Sequence, residues 1–289
     1  MIKKILTNFT YTVAIAIILG IIIGGYPAYT SDISTIALVI AMTLSLKTID
    51  FKKIALRNEI KNISTAFLIN YVFLTTVTIL LGFLFEENIG KGFIIMASVP
   101  PAIAVIPITK ILKGNIKISL MSTTALYLTS IFFTPLIIFL FLGREITLWQ
   151  VSETVLLLII LPLLLSRLVK KIPFDEEKNT MLINICFFVL IVGMVGSNRD
   201  FLFQKIPTLA FLSIAIFLRT FGTGTFIRYI GKKIHLKPEK VVPFTLFASF
   251  KNEGLAILIA GTLLEKSTVI PMIIAMIFEL VYVFFLEKK

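Results

Sequence analysis

The chain has 289 residues, 57% of them hydrophobic and only 15% charged, with a mean hydropathy of +0.99. Soluble domains carry about 25% charged residues, so the composition excludes one and implies an all-α polytopic membrane protein. The net charge of +12 would suggest nucleic acid in a soluble domain, but here the charges fall in short loops between apolar runs and set orientation instead, so no nucleic-acid partner is expected.

A membrane-crossing helix needs about 20 apolar residues. Ten runs qualify by length or pattern: Phe9–Gly25, Ile33–Leu46, Asn62–Phe85, Lys91–Leu112, Ile116–Leu142, Val151–Leu168, Thr180–Asn198, Pro207–Ile230, Lys240–Leu264 and Ser267–Phe285. The N-terminal run follows two lysines, as a signal peptide would, but lacks a small-x-small cleavage site and reads as the first helix. With the N-terminus inside, the inner segments hold 21 of the 28 Lys and Arg, and the outer loops hold five. Arg219 and Lys251 fall within spans. That alternation predicts ten spans in the cell membrane with both termini cytoplasmic.

Ten spans divide into two fives, residues 1–142 and 143–289, and an odd number of spans inverts the second copy. Met42-x-x-Ser45, Lys47 and Asp50-Phe51 close helix 2, while Met194-x-x-Ser197 and Arg199-Asp200-Phe201 close helix 7. Helix 4 is interrupted by Pro100, Pro101 and Pro107. Proline removes an amide donor and disfavours helix in the residue before it. Helix 9, five spans later, is interrupted by Lys251-Asn252-Glu253-Gly254, with Gly254 expected to break the helix. Paired broken helices at corresponding positions of inverted halves are a secondary-transporter arrangement.

Ionisable residues at membrane depth are costly and mark function. Lys251 and Arg219 lie at similar depth, with Glu253 and Glu279 close to them, so two cations and two anions are expected to meet across helices 8, 9 and 10. Such a cluster is either a fixed ion-pair set or a substrate and proton site. Lys110 is expected to snorkel to the inner surface.

Taken together, several stretches resemble the bile acid:sodium symporter family. They are Met42–Leu46 with Asp50-Phe51, the Pro100 stretch ending Lys113-Gly114-Asn115, then Ser119, Thr123 and Pro135, and Asn252-x-Gly254-Leu255-Ala256. The resemblance implies a core domain of helices 3–5 and 8–10 with the broken helices 4 and 9 crossing, a panel domain of helices 1, 2, 6 and 7, and sodium-coupled uptake of organic anions by alternating access. It also implies where sodium ligands would sit, and this chain departs there. The family's helix-4 Ser-Asn pair falls on Val105-Ile106, its helix-9 glutamate on Phe247 and its glutamine on Lys251. Of that set the hydroxyls of Ser119 and Thr123 survive, with Asn70 standing in for a helix-3 amide. Valine, isoleucine and phenylalanine offer sodium no ligand, and a lysine brings the wrong sign. Sodium coupling is therefore expected to be lost, with the Lys251 ammonium in the cation's place or carrying a coupling proton.

The expected function is secondary transport of a small organic anion, proton-coupled or uncoupled, without a cofactor or bound metal. Alternatives are a sodium symporter with a remodelled site and a non-transporting sensor. An enzyme is not expected, since one Cys (Cys186) and one His (His235) provide no nucleophile–base pair and no metal set. Arsenite transport would call for a cysteine in helix 4, where none lies. Lipid is the one partner besides substrate, and oligomeric state is left open.

Overall fold

The computed structural model describes residues 6–26, 28–47, 56–170, 172, 175–200 and 206–288, and among these every regular element is a helix. The Asp50-Phe51 element, Phe201 and the loop cations Lys3, Lys4, Lys52, Lys53, Lys171, Lys205 and Lys289 lie outside the described residues.

Helix α1 is Phe9–Ile23 and α2 is Thr30–Lys47. Helix α3 covers residues 56–82 with a π-helical segment at Leu68–Leu74. The fourth is split into α4a, Glu87–Ser98, and α4b, Val105–Ile111. Then come α5, Ile116–Leu142, and α6, Leu148–Val169, with a π segment at Leu156–Ile160. Helix α7 is Glu176–Ser197, and α8 covers residues 206–233 with a π segment at Leu218–Gly222. The ninth is split into α9a, Pro238–Phe247, and α9b, Glu253–Leu263; α10 is Ile270–Glu287.

Seven of these, α2, α3, α5, α6, α7, α8 and α10, are long and apolar enough to cross a membrane, while α1 and the halves of α4 and α9 are shorter. The protein is a multi-pass, all-helical membrane protein.

Local chemistry sets the helix ends. Asn8, Asn115 and Asn252 each cap a helix by accepting a backbone N–H in its first turn, and Thr147 with Gln150 makes a capping box. Helix α1 stops at Ile23, before the expected Gly25, because Gly24 and Gly25 adopt φ of 82° and 85°. That turn lets the chain graze α7: a Cβ on Gly196 would lie 1.9 Å from the Gly25 nitrogen. Small residues at such contacts let helices approach without side chains between them.

Helices α1, α2, α6 and α7 pack chiefly on one another, and α3, α4, α5, α8, α9 and α10 form a second group. The groups meet where α9b touches α2, α6 and α7, and where α5 touches α6. Helices α4b and α9a, by contrast, pack on α5, on each other and on α3 and α8.

Both interruptions differ in detail from expectation. The first runs from Val99 to Ala104, so Pro100 and Pro101 lie in it, but Pro107 is the third residue of α4b. Amides of a first turn have no intrahelical acceptor, so a proline there breaks nothing. The second runs from Ala248 to Asn252, and Gly254 is the second residue of α9b. Asn252, by capping the new helix, and not the glycine, sets where it restarts.

Candidate functional site

An interrupted helix leaves carbonyls and amides without helical partners, and inside a membrane each must find one elsewhere. Here side chains of neighbouring helices, and of the other break, supply them. At the first break the Ala97 carbonyl accepts from Thr75 Oγ1 (2.8 Å), Ser98 from Thr134 Oγ1 (2.9 Å) and Val99 from Lys251 Nζ (3.0 Å). At the second, Phe247 accepts from Asn70 Nδ2 (2.8 Å), Ala248 from Thr223 Oγ1 (2.6 Å) and Ser249 from Arg219 Nη1 (3.1 Å). Asn70 Nδ2 also reaches the Phe250 carbonyl at 3.2 Å. The breaks touch directly, the Asn252 amide donating to the Pro100 carbonyl at 2.8 Å.

Four of the donors stand on regions of α3 and α8 that contain π turns, while Thr134 is on α5 and Lys251 belongs to the second break. Asn70 and Arg219 lie in the π segments, with Thr75 and Thr223 just beyond them. A π turn is common at functional sites because it shifts the facing side chains. Helix α8 also comes very close to the second break: a Cβ on Gly224 would lie 2.0 Å from Ser249 Oγ and 2.5 Å from the Tyr282 hydroxyl.

The four ionisable residues are all buried, Arg219 and Lys251 at 0% exposure, Glu253 at 3% and Glu279 at 6%. They are not grouped evenly. Arg219 holds two carboxylates, with Nη1 2.7 Å from Glu279 Oε1 and Nη2 2.9 Å from Glu253 Oε1. Only the backbone amide of Lys251 joins that set, donating to Glu279 Oε1 at 3.2 Å. The Lys251 ammonium turns the other way, to the Val99 carbonyl, to Thr75 Oγ1 (3.1 Å) and to the face of Tyr71, 4.6 Å from the ring centre. The expected four-charge cluster is therefore a three-charge cluster and a separate cation. The Lys251 ammonium rests just past the C-terminus of α4a, and Arg219 meets the carbonyls just past α9a. Each cation lies where a helix dipole is negative.

The other expected residues divide between the crossing and its neighbourhood. Asn252 caps α9b and donates from Nδ2 to the Tyr127 hydroxyl at 2.6 Å, tying the crossing to α5. Ser119 accepts from Thr109 Oγ1 of α4b at 3.1 Å, away from the charged groups. Thr123 is buried with no hydrogen-bond partner for its hydroxyl. Val105 and Phe247 are buried apolar side chains and offer no oxygen to a cation. Lys110 is exposed in the last turn of α4b, as snorkelling requires.

Thr75, Tyr71, Thr223, Tyr127 and Thr134 were not singled out from the sequence. A signal existed for two of them, since a polar residue at mid-depth is followed by threonine five residues later in α3 and four later in α8.

On the face reached by the ends of α4a and α9b, Asn88, Lys91, Glu145, Leu263, Leu264 and Glu265 line a cavity of about 270 Å³. Lys91 Nζ joins Glu87 (2.8 Å) and Glu145 (2.6 Å), and its hydrogen bond holds the Glu87 carboxyl below the usual range. Asn88 Nδ2 donates to Glu265 at 2.8 Å, so α4a is tied to two loops.

A family model described as the sodium bile acid symporter family matches residues 33–218, well over half of the chain. No curated protein matches the sequence.

Proposed function

The chain belongs to the sodium bile acid symporter family, whose members are membrane transporters, and from that premise we propose that it moves a small organic anion by alternating access without sodium. In this reading the protein sits in the cell membrane with both termini cytoplasmic. The halves 1–142 and 143–289 are inverted repeats of five crossings each, with α4 and α9 counted as crossings. The parallel contacts at the two breaks support the repeat, since Thr75 serves Ala97 as Thr223 serves Ala248. Helices α1, α2, α6 and α7 are the panel, and the others are the core. Because the core meets the panel through α9b and through α5, the conformation reads as closed outside and open inside. The Lys91–Glu145 pair lies on the closed side.

One observation carries the sodium-free reading: the seat of the Lys251 ammonium. It has a carbonyl, a hydroxyl and a ring face around it, at the end of a half-helix where coupling cations are held in such folds. A covalently attached cation there supplies the charge that an ion would otherwise bring. The test is thermal stabilisation of the purified protein by a panel of organic anions, in sodium and in choline buffers and at two pH values, followed by uptake of each stabilising anion into liposomes. Equal stabilisation and uptake in both salts is the expected result. A sodium requirement overturns the coupling reading, and a protein stabilised by no anion overturns the substrate class.

A further inference from the structure

Two carboxyl groups share one guanidinium in the middle of this bundle, and they are not equally satisfied. Glu279 Oε1 accepts from Arg219 Nη1 and from the Lys251 amide. Glu253 has Arg219 Nη2 as an ion-pair neighbour, but neither of its oxygens receives an aligned hydrogen bond. Arg219 Nη2 and Nε are likewise without hydrogen-bond partners. A carboxylate so deeply buried costs much free energy unless it is paired and hydrogen-bonded, and taking up a proton relieves that cost. A receiver for the new O–H is at hand, because the Glu253 and Glu279 carboxyls are each other's neighbours.

The groups facing Glu253 are few. They are Arg219 from α8 and Glu279 from α10, while the Lys251 ammonium, turned toward Thr75 and Tyr71, adds its charge without facing the carboxyl. Beyond them, Asn252 leads to the Tyr127 hydroxyl of α5, and Lys251 lies over Tyr71 of α3. With both carboxyls ionised and both cations charged, the four residues sum to zero. One added proton makes the sum +1, and a monoanion bound beside the crossing returns it to zero. An unbalanced buried charge is strongly disfavoured, so proton and anion each favour the other's binding, by reciprocal amounts.

The geometry points to Glu253, shared with Glu279 across Arg219, as the binding site of a transported proton that accompanies each monoanion. The proton leaves water on one side to form an O–H bond at a Glu253 oxygen. It returns to water on the other side when that bond breaks, restoring the carboxylate. This rests on the anion-transport reading above and adds the coupling ion and its residue.

Infrared difference spectra of the purified protein in lipid nanodiscs, titrated with acid in sodium-free buffer, test it without any substrate. The expected result is a protonated-carboxyl C=O band that titrates in the wild type and is lost in Glu253→Gln. In Glu279→Gln the band should shift, because the receiver of the O–H has changed. Should Glu253→Gln not fold, the Glu279→Gln comparison decides alone. A wild type with no titrating buried-carboxyl band, a band that survives in Glu253→Gln, or one unmoved in Glu279→Gln overturns the proposal. The spectra need no transport, so failure of the anion reading in liposomes is a separate result.

Discussion

Replacing Arg219 by methionine removes the one cation that holds Glu253, Glu279 and the Ser249 carbonyl together. Breaking a buried ion pair by deleting one partner costs about 3–5 kcal/mol, because the other charge is left without compensation. A carbonyl deprived of its donor adds about 1–3 kcal/mol. The terms overlap, so at least about 4 kcal/mol is expected, or on the order of 8 °C in melting temperature for a chain of this size. The protein carries its own reporter: Cys186 is its one cysteine, buried in α7, and a thiol-reactive fluorophore reads its exposure on heating. Adding Glu253→Gln to Arg219→Met should recover at least half of the loss, since Glu279 and Lys251 then sum to zero. An Arg219→Met protein melting within about 2 °C of the wild type, or a double variant no better than the single, would refute the assignment of Arg219 as the internal counter-ion.

Thr75→Val and Thr223→Val keep side-chain shape but leave the Ala97 and Ala248 carbonyls without donors, so each should cost about 1–3 kcal/mol by the same thiol-exposure melt. Lys251→Gln should give the protein a sodium-dependent rise in melting temperature that the wild type lacks; identical melts in sodium and choline would contradict the idea that the ammonium stands in a cation's seat. Gly196→Ala drives a methyl into the backbone at Gly25 and should destabilise by about 1–3 kcal/mol or more, whereas Gly254→Ala, with only ordinary contacts around the new carbon, should be mild.

The sequence made the multi-pass helical class readable because hydropathy is a local signal that survives without knowledge of packing. Helix α5 was bounded to the residue, at Ile116 and Leu142, where Asn115 provides a cap. The break in helix 9 was placed to within a few residues but credited to Gly254, because a glycine is visible in sequence while a capping asparagine acts only through its geometry. Grouping Lys251 with the carboxylates followed from depth alone. Depth does not say which way a side chain points, and from the non-helical break the Lys251 ammonium points toward Tyr71 and Thr75. The roles of Thr75, Thr223 and Thr134 depend on carbonyls more than 20 residues distant in sequence, which no local pattern encodes.

The faces that α9b turns toward α2 and α7 have a mechanical meaning. A Cβ placed on Gly254 would meet Phe187 at 3.4 Å and Leu38 at 3.6 Å, carbon against carbon across the gap. Around the two breaks, by contrast, side chains of α3, α5 and α8 make directional bonds. Dispersion contacts of the first kind are individually weak and can be exchanged for neighbours as surfaces slide, while the directional bonds resist deformation. Any shear of one helix group past the other should run along the Leu38–Phe187 face and carry both broken helices as a single rigid body.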